Sequence, residues 1–168
     1  MPAKPRYPLE AYLVHIQAQK EQAYKELAAA LAKVREEEAK RDAIKEQLEK
    51  LEADHKRWMA DYWQGLRQGS FAPHDIESRR NHLEGLASDA RDRKRELLAQ
   101  ERAVQRAEQA AEKVREEFAR VSNEVKVHEE KKEEWRRELL READRKEQRG
   151  MEDLSTARHI KKKDLGRG

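Results

Sequence analysis

Six histidines are the first residues to weigh, because a neutral imidazole can bind a metal or move a proton near neutral pH. They stand at His15, His55, His74, His82, His128 and His159. No two lie four residues apart, the spacing that puts a zinc-binding pair on one helix face. His55 and His128 fall on positions expected to face a partner helix, where a half-buried structural role is the simpler reading. There is no cysteine, hence no thiolate ligand or nucleophile and no disulfide framework. No Gly-rich phosphate loop and no nucleophile elbow occurs. Many of the abundant carboxylates have Lys or Arg three or four positions away, the pattern of a solvated helix face. The chain is therefore expected to be a non-enzyme, with no catalytic residue, no cofactor and no metal.

Aromatic residues remain as candidates for binding. Trp58, Tyr62, Trp63 and Phe71 form one group, and Tyr7, Tyr12 and Trp135 a second. Trp58 and Tyr62 read as core. Trp63 and Phe71 lie off the apolar seam or in a turn, where they either cap the turn locally or offer a docking surface.

What positions these groups is a break, Gly65-Leu66-Arg67-Gln68-Gly69-Ser70-Phe71-Ala72-Pro73. Glycine ends helices by adopting the left-handed conformation, and proline suits the first turn of the next helix. Two helices joined by so short a link run antiparallel. On the N-terminal side a four-three alternation passes through Leu9, Leu13, Ile16, Lys20, Ala23, Leu27, Ala30, Val34, Glu37, Arg41, Ile44, Leu48, Leu51, His55, Trp58 and Tyr62. It resumes from Ile76, Arg79, Leu83 and Leu86 through Val121, Val125, His128, Lys132, Trp135 and Leu139. This is the spacing of a left-handed supercoil. The predicted fold is all-α, a single long antiparallel two-helix coiled-coil hairpin. Residues 1–8, with Pro2, Pro5 and Pro8, form an extended segment; 9–66 form helix 1; 67–73 form the tip turn; and 74–150 form helix 2. Gly150 is expected to end or kink helix 2, leaving a short helix and a frayed basic tail over 151–168. Helix 1 would be on the order of 85 Å long, at 1.5 Å per residue.

Folding the seams about the break pairs positions whose numbers sum to about 141, the register that keeps apolar layers facing each other. Ala30 then meets Ala111, Ala23 meets Phe118, Leu27 meets Val114, and Arg41 meets Gln100 in a polar layer that helps fix register. Leu9 falls opposite Lys132, so Glu133 to about Arg149 overhangs helix 1 while Trp135, Leu139, Leu140 and Ala143 continue an apolar stripe. Such a stripe marks an interaction surface. The alternative is that Pro5-Arg6-Tyr7-Pro8 folds back so that Tyr7 covers Trp135, and both can hold together.

Composition agrees with a thin structure. Ala, Glu, Lys, Leu and Arg make up about 60% of the 168 residues, the mark of coiled coils. With 43% charged and 36% hydrophobic residues, a thick core is not available. The net charge of +3 is the balance of 38 basic and 35 acidic side chains, a mixed surface that weighs against nucleic-acid binding. The Lys161-Lys162-Lys163 run reads as a soluble tail. No run approaches the roughly 18 apolar residues of a membrane span, and the opening Met1-Pro2-Ala3-Lys4-Pro5-Arg6 lacks the apolar core expected of a secretory signal. A soluble cytoplasmic protein, not inserted in membrane and monomeric on its own, is expected.

The opening Arg6-Tyr7-Pro8-Leu9-Glu10, the hairpin of this length, and Lys132-Glu133-Glu134-Trp135 resemble the YscO/CdsO proteins of type III secretion. The stretch Arg145 to Arg158, with Met151-Glu152-Asp153, is similar to the end of their flagellar relative FliJ. The resemblance implies a central stalk that enters the hexameric secretion ATPase and reaches the cytoplasmic domain of the export gate, with links to chaperones of translocator substrates. It implies a place at the cytoplasmic base of the secretion apparatus. On that reading Tyr7, Leu9, Trp135, Arg136, Arg137 and Leu139 would engage the ATPase ring. Trp63, Leu66, Phe71 and Ile76 at the tip would face the export gate. The competing reading is a generic structural coiled-coil spacer or adaptor that never touches an ATPase.

Overall fold

The computed structural model describes residues 3–166 and contains two helices, α1 (Glu10–Gln68) and α2 (Pro73–Leu165), with no strand among the described residues. The helices pack against each other as an antiparallel hairpin, the fold class expected. Their residues divide into two compact units, one of residues 23–118 and one of residues 1–22 with 119–168.

In the unit of residues 23–118 the four-three positions face inward. Ala23, Leu48, Tyr62, Leu83, Ala90, Val104 and Ala111 are buried, and apart from Glu37 the seam residues between them are half-buried. The periodicity alone explains this, because side chains at that spacing lie on one stripe of a slightly under-wound helix. Tyr24 and Phe118 tilt together with ring centres 5.9 Å apart. The Trp58 ring meets His82 edge-on at 4.5 Å. Lys94 reaches Glu52 across the helices at 3.4 Å.

The polar layer differs from expectation. Gln100 does not pair with Arg41. It donates from Nε2 to the Glu37 carbonyl at 3.0 Å and to the Glu37 carboxylate, while Arg41 turns to Asp42 at 3.2 Å. A carboxylate offers an amide a charged acceptor, which a guanidinium cannot. Glu37 is the one buried charged residue among those described. Lys33 at 2.8 Å and Lys40 at 3.6 Å neutralise it from its own helix.

In the other unit Leu13, Ile16, Val121 and Val125 form a continuous buried cluster, and Ile16 is only 1% exposed. Each such side chain contributes about 1.5–3 kcal/mol by leaving water. Polar pairs flank the cluster: Glu10 with Lys132 at 2.6 Å, Gln17 with Glu129 at 3.2 Å, and the Tyr12 hydroxyl donating to Glu124. His128 presents its ring to Tyr12 edge-on at 4.9 Å. Its Nδ1 is buried with no hydrogen-bond partner among the described residues.

All four helix boundaries depart from the sequence expectation: α1 spans Glu10–Gln68 in place of 9–66, and α2 spans Pro73–Leu165 in place of 74–150. Leu9 precedes α1 and is 46% exposed, so Glu10, not Leu9, faces Lys132. Helix α2 does not stop at Gly150 but runs unbroken to Leu165, in place of a short helix and a frayed tail. Gly150 has no positive φ, and Gly69 is the one described residue that does. A helical glycine costs about 1 kcal/mol relative to alanine. Strong helix formers on both sides, including Arg145, Lys146, Glu147, Met151 and Glu152, offset that cost.

The Lys33 and Gln100 hydrogen bonds hold the Glu37 carboxyl well below its usual 4.5, at about 2. A carboxyl depressed on folding adds stability above its unfolded pKa and loses it as pH falls through the folded value. Between pH 4.5 and about 2, the melting temperature of the native protein is therefore expected to fall more steeply than that of Glu37→Gln. At pH 7 the variant should melt lower, and near pH 2 the two curves should converge. Parallel melting-temperature curves across that range would show that Glu37 does not hold the seam electrostatically.

Candidate interaction surfaces at the tip and the N-terminal strap

The tip lies in the unit of residues 23–118. Gly69 takes φ +65°, and its N–H bonds to the Leu66 carbonyl at 3.2 Å. The Ser70 N–H bonds to the Gly65 carbonyl at 3.0 Å. These two bonds form a Schellman motif, which satisfies carbonyls that the end of α1 would otherwise leave open. Pro73 then opens α2, where a missing N–H costs nothing, and Asp75 sits in the first turn, favoured by the helix dipole.

The motif returns the chain so that Phe71 lies over Gly65, and any side-chain carbon on Gly65 would overlap the Phe71 ring. The Arg79 guanidinium covers the same ring at 4.2 Å and approaches the Trp58 ring at 5.9 Å. Phe71 is thus half-buried between a glycine and a cation, which makes it a local cap of the turn. Leu66 and Ile76 are also half-buried. Of the four tip residues singled out, Trp63 is the one largely open to solvent, at 55% exposure, with its ring against Tyr62 at 5.8 Å. The close fit of Gly65, Phe71 and Arg79 escaped the sequence reading. The signal available was a glycine one turn before the left-handed Gly69, followed by an aromatic.

The second surface belongs to the unit of residues 1–22 and 119–168. The segment before α1 folds back as a strap, and Tyr7 meets Trp135 edge-on with ring centres 5.5 Å apart. Tyr7 is thereby buried and Trp135 half-buried. Beyond this contact an open groove of about 710 Å³ lies between the strap and α2, lined by Lys4 and Pro5 on one side and Trp135, Leu139, Leu140 and Ala143 on the other. Arg136 and Lys146 edge it, with Glu142 the one acidic lining residue. Arg137 is exposed and pairs with Glu133 of its own helix at 3.8 Å. So Tyr7, Trp135, Arg136 and Leu139 come together, whereas Leu9 and Arg137 stand outside the groove. From residue 140 onward every described residue is exposed.

Among the described residues no three His, Asp or Glu side chains are placed to hold a metal ion. No described helix is long and apolar enough to cross a membrane.

The tip geometry reverses an ordinary expectation. Glycine to alanine inside a helix normally gains up to about 1 kcal/mol. Gly65→Ala is expected instead to lower the melting temperature by forcing Phe71 out, and Phe71→Ala should remove most of that penalty in the double variant. Thermal melts of the four proteins read the coupling directly. Additive effects would show that Phe71 does not rest on Gly65.

The sequence model of the YscO-like family matches residues 4–164, which takes in α1, the tip and nearly all of α2. No curated protein and no solved structure matches the chain. A family match over almost the whole length, on a chain that forms the expected helical hairpin, leads to one conclusion: this protein belongs to the YscO-like family and is a type III secretion-related protein.

Proposed function

We propose that this protein is the central stalk of its secretion apparatus, binding the hexameric secretion ATPase and coupling it to the export gate. The strap end would enter the ATPase ring through Trp135, Arg136 and Leu139, with Tyr7 bracing Trp135 and Leu9 and Arg137 at the margin. The tip would meet the cytoplasmic domain of the gate through Trp63, with Leu66, Phe71 and Ile76 shaping the turn that presents it. Chaperones of translocator substrates are further partners on this reading. The protein would act as a monomer at the cytoplasmic base of the apparatus.

One observation carries the proposal. Helix α2 continues past the start of α1 with Leu139, Leu140 and Ala143 along a groove that α1 does not fill. A soluble helix that extends apolar groups beyond its own partner is built to receive another protein. The basic groove edge would steer the strap end toward an acidic pore lining, acting on encounter more than on final affinity. A seam satisfied internally by the hairpin favours a monomer that works as a stiff lever. A lever held in a ring can bias successive subunits, provided it contacts their conformations unequally.

Trp135→Ala tests the strap end. Removing a half-buried aromatic anchor is expected to cost roughly 2 kcal/mol of binding, or more than tenfold in affinity. Circular dichroism should show helix content nearly unchanged, while stimulation of the cognate ATPase falls by a comparable factor. Full stimulation by a folded Trp135→Ala protein would remove the strap end from the ATPase contact and favour the spacer reading.

A further inference from the structure

Past the strap groove, α2 carries a second seam that has no mate. Met151, Leu154, Arg158, Lys161 and Leu165 follow one another at intervals of three, four, three and four. That is the alternation of a coiled-coil stripe, and the unbroken helix through Gly150 puts all five on one face. Together they line a single shallow hollow. Met151, Leu154 and Leu165 are 64%, 61% and 77% exposed. Glu152, Asp153 and Asp164 fall on the other faces of the helix, so the stripe is cationic as well as apolar. None of the ion pairs among the described residues involves Arg158 or Lys161.

The order of residues along the stripe selects the partner. Apolar side chains stand at both ends and two cations occupy the middle. A bilayer surface favours a continuous apolar face with cations at its edges, which Arg158 and Lys161 interrupt. A second copy of this chain would bring Arg158 or Lys161 against another Arg158 or Lys161, in parallel or antiparallel pairing, and like charges at seam positions are repulsive. An α-helix of another protein, with carboxylates at two central seam positions and leucine-type residues on either side, satisfies every layer.

We infer that residues 151–165 form a docking seam for an amphipathic, acidic-centred helix of a partner protein. The site is separate from the groove at Trp135 and does not depend on the ATPase contact. Charge decides which helix is accepted, because the apolar layers at the ends would take many sequences and the central pair would take few.

The test uses the full-length protein and two synthetic helical peptides. One carries Leu, Glu, Glu and Leu at intervals of four, three and four on an otherwise neutral helix; the other has Lys for both Glu. Fluorescence anisotropy is expected to show saturable binding of the Glu peptide and at least about tenfold weaker binding of the Lys peptide. The Arg158→Glu/Lys161→Glu protein should invert that preference, with its helix content checked by circular dichroism. Equal affinity for the two peptides, no binding of either, or a preference unchanged in the variant would overturn the inference. So would sedimentation showing the native protein dimerising through this stripe, or flotation with phosphatidylglycerol vesicles that the double variant abolishes. Trp135→Ala should leave Glu-peptide binding intact, so a failure of the strap end in the ATPase contact leaves this result standing.

Discussion

A two-helix seam has one stripe to bury on each helix and no second layer behind it. Every feature of this protein answers to that constraint. Few side chains are withdrawn from water completely, and Leu13, Ile16, Val121 and Val125 join into a continuous buried cluster. Apolar layers of similar size would tolerate a slip of one heptad, because they reward contact without regard to identity. The Glu37–Gln100 layer does not tolerate it, since a shifted register would leave a buried carboxylate facing hydrocarbon. Its two lysine neighbours keep the charge affordable where it stands.

The same thinness makes the ends of the hairpin its most distinctive surfaces. At the tip, the Schellman bonds bring Phe71 back onto Gly65, and Arg79 closes over the ring. At the strap, Tyr7 closes on Trp135. In each unit an aromatic ring from outside the helices covers a helix position, Phe71 over Gly65 in one and Tyr7 against Trp135 in the other. The covering is partial in both, which leaves Trp63 in one and the groove beside Leu139 in the other open to partners.

Membership of the YscO-like family places the protein in type III secretion. Three surfaces are open to partners: Trp63 at the tip, a groove whose floor is apolar and whose rim is basic, and a bare helix whose stripe combines apolar and cationic side chains. They differ in composition, and so in the partners they can accept.

Most of the fold was legible in the residues. Four-three spacing is a local property, and it placed every half-buried and buried seam position from Leu13 to Leu139 on the inner face before any contact was known. Gly69 and Pro73 likewise have local reasons to end one helix and begin the next. What the sequence left undecided are matters of reach. Whether Gln100 finds Arg41 or Glu37 depends on side-chain length across the seam, and whether Gly150 breaks a helix depends on its neighbours' propensities. That Tyr7 folds onto Trp135, and that Phe71 fits the gap over Gly65, follow from the path of the backbone in space. Periodicity specifies which face a residue occupies; only the packed chain decides which atom it touches.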